Sequence, residues 1–301
     1  MGTFPRCRST CHAWVTPLRR KRDISPTAAA KTNRSPAAYS CTVSFEVAAD
    51  AYDRFMGRYS AQLAPQLADL GELRAGQRAL DVGCGPGALT TELVARLGRE
   101  SVAAVDPSEA FVAAARERHP GVEVQRASAE ELPYPNDSFD ATLAQLVVHF
   151  MSDPVAGLRE MARVTRPGSI VAACVWDHAG KRAPLTPFWR AARELDSRAE
   201  DESALAGARA GHLAELLEAA GLHGVEETEL GAAVEYSSFD DWWDPFTLGV
   251  GPAGAYAQSL DEARRAELRE RCRQLLPVPP FTLDTFAWAA RGRTVEERAP
   301  L

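Results

Sequence analysis

The chain has 301 residues, 46% of them apolar, and 34 Lys or Arg against 41 Asp or Glu give it a formal charge of −7. That is enough apolar material for a full core, and no apolar run approaches the ~18 residues of a membrane span. The charge is unevenly placed: residues 1–40 carry eight bases and one acid, leaving 26 bases against 40 acids from residue 41 onward, which argues against a nucleic-acid partner. The six cysteines (Cys7, Cys11, Cys41, Cys84, Cys174, Cys272) are scattered, which speaks against a disulfide framework and predicts a reducing, cytoplasmic setting. Cys7, Cys11 and His12 look like half a metal site with no second half, so no metal is expected.

Residues 1–44 are rich in Arg, Ser, Thr, Pro and Ala and lack apolar periodicity, so a disordered basic tail is predicted. An Arg-rich organelle leader and an over-extended reading frame explain it equally well. From Phe45 to Leu70, apolar residues recur at three and four, which predicts one or two amphipathic helices. Arg78 to Val82 then forms a short apolar run containing Asp81, followed by glycines at 83, 85 and 87 and a helix over 89–97. Strand, tight turn and helix in that order make a cofactor cradle, because each missing Cβ lets a ligand lie against the main chain.

A second apolar strand ends in Asp106, at the separation expected of an acid that takes ribose hydroxyls. Pro107-Ser108-Glu109 opens the next helix. Strands are predicted over 122–126 and 141–145, a helix over 155–164, a turn at Arg166-Pro167-Gly168, and a buried strand over 169–176. Beyond Trp176 aromatic residues accumulate, and a helical cap is expected after the fifth strand and before a strand at 225–230. A helix over 213–220 with its stop at Gly221, a helix over 264–276 and a terminal strand over 281–290 complete the pattern. The domain boundaries follow: 45–177 a cofactor-binding core with its leading helix, 178–292 the cap and closing strands, 293–301 a frayed end.

Gly83, Gly85 and Ala88 also satisfy the relaxed dinucleotide fingerprint. Asp81 directly before the glycines and the later segments distinguish the alternatives: five segments across 78–176 resemble the class I S-adenosylmethionine-dependent methyltransferases, type 11-like, in particular the ubiquinone and menaquinone biosynthesis branch. The resemblance implies a Rossmann-like α/β fold with a seven-stranded, mostly parallel sheet, an antiparallel C-terminal strand and a helical cap insertion. It implies S-adenosylmethionine as cofactor, held by Asp81, Gly83, Cys84, Gly85, Gly87, Asp106 and Pro107. The leading helix of such enzymes closes over the methionine end, which puts Tyr52, Met56 and Arg58 there, with Arg58 offered to the cofactor carboxylate. The adenine position falls on Ser128-Ala129, where relatives carry an acidic residue before the Ala; Ser128 or Glu130 is the alternative contact.

Gln145 ends the fourth strand, where an open α/β sheet places reactive groups. No Asn or Asp precedes a Pro-Pro-Tyr there, and no Pro-Cys follows, which disfavours a nucleobase as acceptor. A small molecule is expected, enclosed by Trp176, Trp189, Trp242 and Trp243. His149 and His178, just past the fourth and fifth strands, are the candidates for proton transfer. The competing classes are a non-catalytic binder of the same cofactor, acting as regulator or scaffold, and a nicotinamide dehydrogenase.

Overall fold

The structure, a computed structural model, describes residues 49–296; the predicted basic tail, Phe45 and Cys7, Cys11, His12 and Cys41 lie outside them. Three short apolar strands form the centre: β1 (Ala79–Val82), β2 (Val102–Asp106) and β4 (Phe139–Gln145). All residues of β1 and β2 are buried, as parallel strands covered by helices on both faces require. With β3 (Glu123–Arg126), β5 (Thr165–Trp176), β6 (His223–Tyr236) and β7 (Phe281–Arg293) they make one sheet in the order β3-β2-β1-β4-β5-β7-β6. The pairs among β1 to β5 are parallel, and β7 runs antiparallel to both β5 and β6. The seven-stranded expectation holds. Since β1 lies between β2 and β4, the order reverses at its C-terminal end, and a crevice opens there.

Helices α3 (Ala88–Leu97), α4 (Glu109–Arg118), α5 (Pro154–Val164) and α7 (His212–Ala219) pack on the sheet. Their starts are written in the sequence. Ser108 caps α4, and Asp153 caps α5 by accepting from the Ala156 N–H at 3.0 Å with Pro154 next in line. Leu158, Met161 and Val164 of α5, with Leu213 and Leu217 of α7, bury one face of the sheet.

The other face carries the leading helix and the aromatic residues. The leading helix is α1 (Ala49–Tyr52), a π-helical turn over Asp53–Gly57, and α2 (Arg58–Leu70). It covers the sheet's last strand in an unexpected way. The side-chain amide of Gln62 donates to the Ala233 carbonyl at 2.9 Å and accepts from its N–H at 3.1 Å; Gln66 does the same to Gly231 at 2.8 and 3.1 Å. Arg58 continues the series onto the Glu235 carbonyl. Positions four apart on a helix rise ~6 Å, close to the ~6.7 Å between alternate residues of a strand, so 58, 62 and 66 match 235, 233 and 231. The free edge of β6 is thereby paired.

Three boundaries differ from expectation. β6 begins at His223 and runs to Tyr236 because Leu230, Ala232, Val234 and Tyr236 keep an alternating buried face along β7. Pro167 and Gly168 bulge within β5, where the register with β4 shifts, instead of separating helix from strand. At the start of the predicted frayed end, the Thr294 N–H and hydroxyl bond to the carbonyls of Ser169 at 3.0 Å and Arg166 at 2.6 Å. The cap is two insertions, one between β5 and β6 carrying α6 (Thr186–Leu195), the other between β6 and β7 carrying α8 (Phe239–Trp243), α9 (Gly251–Ser259) and α10 (Glu262–Leu275). Their rings interlock, with Phe188 of α6 stacked on Phe246 at 4.6 Å.

Candidate functional site

The turn after β1 is fixed by its own amides. The N–H groups of Gly83 and Cys84 donate to the Val105 carbonyl at 2.8 and 2.9 Å, and that of Gly87 to the Cys84 carbonyl at 2.9 Å. The Gly85 N–H donates to Asp106 Oδ2 at 2.9 Å, while Asp106 Oδ1 takes the Ser108 N–H at 2.8 Å. Asp106 is therefore the tie that holds the turn against the end of β2.

The three glycines have different reasons. A Cβ on Gly83, at φ +70°, would lie 2.1 Å from Val147 Cγ2, and one on Gly87 would lie 2.6 Å from His119 Nε2. Both are packed shut by the protein. A Cβ on Gly85, at φ +53°, would meet nothing within 4 Å. That open side faces a crevice walled by Tyr52 and Ser60 of the leading helix, Asp81, the turn itself and Gln145.

Asp81 is fully buried and accepts the Thr90 hydroxyl on Oδ2 at 2.6 Å, yet Oδ1 has no partner. Burial pushes its carboxyl up to about 7 against the lowering effect of Thr90. Gln145 donates to the Ser60 carbonyl at 3.1 Å and leaves Oε1 buried and unpartnered. Two acceptors thus face the crevice without donors, and no Lys or Arg is among its described walls. Buried acceptors left unmade are costly. The arrangement suits a ligand that brings donors and positive charge.

An anionic ligand would find the opposite. Within 83–87, Pro86 has no N–H, and the four remaining N–H groups are spent on Val105, Cys84 and Asp106, so the turn offers no nest for a pyrophosphate. Burial also raises the thiols beside the crevice, Cys174 to about 12 and Cys84 well above its ordinary value, so both stay protonated. The Tyr52 phenol is pushed up to about 12 for the same reason.

Tyr52, Asp81, Gly83, Cys84, Gly85 and Gln145 are brought together around this hollow. Gly87 lies on the far side of the turn, under His119. Pro107 is exposed beside Asp106, and Ser128 is exposed with Ala129 half-buried next to it. Glu130 is engaged elsewhere: its Oε1 takes the N–H groups of Ser152 and Asp153 at 2.7 and 3.3 Å, ahead of α5. Arg58 is turned from the crevice as well, held by Asp241 at 3.3 Å, by the Glu235 carbonyl and over the Tyr236 ring. It is the third rung of the α2 ladder.

Of the four tryptophans, only Trp242 lines a second hollow, between the leading helix and the two insertions. Trp176 meets Tyr59 edge-on at 5.8 Å, Trp189 donates to Glu202 at 2.7 Å, and Trp243 stacks with Phe239; these three fill the core. His149 and His178 are buried with ring centroids 6.0 Å apart, and His149 Nδ1 and His178 Nε2 have no partner. Burial lowers both, His178 to about 4 despite Asp201 and Asp177, so both rings are neutral at pH 7. Neither lines the crevice.

Thr90, Ser60 and Arg118 were not singled out by motif. Thr90 sits on the sheet-facing side of α3, where a buried hydroxyl needs a partner, and that was its signal. Arg118 bonds the Pro86 carbonyl at 3.2 Å and pairs with Asp53, tying the turn to the leading helix; nothing local in the sequence announces a pair 65 residues apart.

The methyltransferase domain family model matches residues 80–173. The chain is similar to a malonyl-[acyl-carrier protein] O-methyltransferase of Serratia marcescens, with 33% identity over 43% of this chain and 52% of that protein. An uncharacterized methyltransferase of Mycobacterium tuberculosis is 36% identical over 47% of this chain and 55% of its own length. The chain spans about half the length of the curated relatives it matches. Among solved structures, the YcgJ protein of Bacillus subtilis overlaps 79% of this chain and 99% of its own, with a TM-score of 0.51 at 20% identity, a likeness of fold.

Proposed function

We propose, from the match of residues 80–173 to the methyltransferase domain family model, that this chain holds S-adenosylmethionine under the glycine turn and transfers its methyl group in line to a small cytoplasmic molecule, at oxygen, nitrogen or carbon. One observation carries the reading: Asp81 Oδ1 and Gln145 Oε1, buried and unpartnered, face a crevice without a basic wall. When bound, the cofactor supplies a methyl carbon on a positively charged sulfur that departs as a neutral thioether.

The chain's own residues position and exclude. Gly85 lets the ligand lie on the main chain, Asp81 and Gln145 accept from its charged donors, and Asp106 at the end of β2 is assigned the ribose hydroxyls. Ser128, the exposed member of its segment, is assigned the adenine edge. Tyr52 and Ser60 close the crevice from the leading helix, and Asp53 with Arg118 fastens that helix to the turn. Keeping water out and the acceptor in line supplies much of the rate for a displacement with a good leaving group.

The test is transfer of labelled methyl groups from S-adenosylmethionine into a metabolite extract, compared with the Gly85→Arg variant. Label appearing in a small molecule with the wild type and lost in the variant is expected. Binding without transfer across diverse acceptors would favour the regulator or scaffold instead.

A further inference from the structure

The crevice under the glycine turn is closed. Asp81 is fully buried in its wall and Cys84 nearly so. The open space among the walls is about 30 Å³, room for roughly two waters, whereas small-molecule sites run to ~300 Å³ and more. A larger ligand therefore reaches Asp81 only if a wall moves. Most of the wall is fixed: Asp81, the glycine turn and Gln145 are held by the pairing of β1 with β2 and β4 and by the turn's own hydrogen bonds. The rest is Tyr52, Asp53, Gly57 and Ser60, all from the leading helix.

That helix is anchored unequally along its length. From Arg58 onward it is fast: Tyr59, Leu63 and Leu67 are buried, and the Gln62 and Gln66 amides are paired with β6. Phe55 and Met56 are buried too, Phe55 edge-on to Phe246 at 5.2 Å. Ahead of them, α1 buries no side chain. The change falls within the π-helical turn Asp53–Gly57, and a break of this kind in the α-helical hydrogen-bond ladder is where helices bend. Two contacts hold the front of the helix across the crevice. Tyr52 meets Phe111 of α4 edge-on at 5.3 Å, and Asp53 pairs with Arg118 at the C-terminal end of α4. Arg118 also donates to the Pro86 carbonyl at 3.2 Å, so one guanidinium joins the helix to the glycine turn. Gly57 leaves room for the acid: a Cβ there would stand 3.2 Å from Asp53 Oδ1.

We propose that Ala49–Asp53 is a gate over the crevice, bending at the π-helical turn, with the Asp53–Arg118 pair as its latch and Arg118 as a positioning residue for the glycine turn. That S-adenosylmethionine is what passes the gate rests on the methyl-transfer reading; the gate itself does not. The two latch side chains are 38% and 37% exposed, and so exposed a pair is weak, as a latch that opens for each passage has to be.

Labelling of the full chain with N-ethylmaleimide, with modified peptides resolved by mass spectrometry, reads opening without any ligand. Cys84 reports the crevice, and Cys272, fully buried in α10, reports global unfolding. Arg118→Gln should speed Cys84 labelling roughly two- to fivefold, the size of one exposed ion pair, and leave Cys272 unchanged. Removing a cation favours the protonated, unreactive thiol, so a faster reaction means access. Asp53→Asn should have a similar effect, and the double variant should label no faster than Arg118→Gln alone, since the partners share one bond. Saturating S-adenosylhomocysteine should protect Cys84, and its association, followed by surface plasmon resonance, should quicken in Arg118→Gln by the same factor. Unchanged Cys84 labelling in Arg118→Gln, Cys84 and Cys272 quickening together, or single effects that add in the double variant would overturn the gate. Faster dissociation of S-adenosylhomocysteine at unchanged association would make Arg118 a holding contact and overturn it as well. If S-adenosylhomocysteine neither binds nor protects, the methyl-transfer reading falls, and the labelling comparison still decides for or against the gate.

Discussion

The glycine cradle and the aromatic insertions solve different problems. The cradle is built from main chain: its glycines, its amides and the carboxylates of Asp81 and Asp106 all lie within 26 residues of one another, and one of its acceptors, Asp81 Oδ1, is left open. The aromatic cluster is built from rings as far apart as Phe55 of the leading helix and Phe188 and Phe246 of the two insertions, and a buried polar atom such as the Trp189 ring nitrogen is spent internally, on Glu202. A site made of backbone can be damaged by one added atom with little loss of core. A site made of packed rings fails through stability first.

That difference can be pushed on directly. Phe188 is fully buried between Phe246 and Trp189, so Phe188→Ala should cost about 3–5 kcal/mol in urea denaturation while S-adenosylmethionine affinity of the folded fraction stays within about twofold. Gly83→Ala should come next, at roughly 2–4 kcal/mol, because it combines positive φ with a collision against Val147. Gly85→Ala should cost only about 1–2 kcal/mol for the same φ, yet lower cofactor affinity by at least about tenfold, since its Cβ fills ligand space. If Gly85→Ala bound the cofactor normally, the open side of the turn would be unrelated to binding.

Asp81 sharpens the comparison through pH. Its folded value, about 7 against an ordinary 3.8, means that the folded chain keeps a proton the unfolded chain has released. The stabilising contribution is complete below about pH 3.8, shrinks as pH rises to 7, and beyond that the buried charge is a net cost of about 2–4 kcal/mol. Asp81→Asn should therefore raise ligand-free stability at pH 8 and leave it nearly unchanged at pH 4, measured by urea midpoints, while weakening the cofactor. Glu202, also raised to about 7 by burial, has the same sign and remains as a background slope in the variant. The smallest effect belongs to the ladder on β6: Gln66→Ala should cost about 1 kcal/mol, with no change in cofactor binding.

The cradle was legible because its chemistry is local. Asp81, the glycine spacing and Asp106 at the end of the next strand carry their meaning in adjacent residues, and the mostly parallel seven-stranded sheet was implied by the family resemblance those segments carry. What sequence missed depended on partners far along the chain. Arg58 lies beside Tyr52 in sequence and was assigned to the cofactor, but the helix period places it with Gln62 and Gln66 on the β6 edge. Glu130 sits next to the adenine segment and instead holds the amides ahead of α5. The tryptophans show the same limit: composition announced a cap, while only packing distinguishes Trp242 at a hollow from Trp189, Trp176 and Trp243 in the core.

Asp81, buried and with its Oδ1 unpartnered, receives the cationic end of S-adenosylmethionine. Calorimetric titration of the full chain with that compound at pH 5.5 and pH 7.0 tests it most directly. Binding at both values, tighter at pH 7.0 by about tenfold as Asp81 ionises, and with that ratio lost in Asp81→Asn, is the expected result. No heat at either pH, or an affinity that does not change between them, would contradict it.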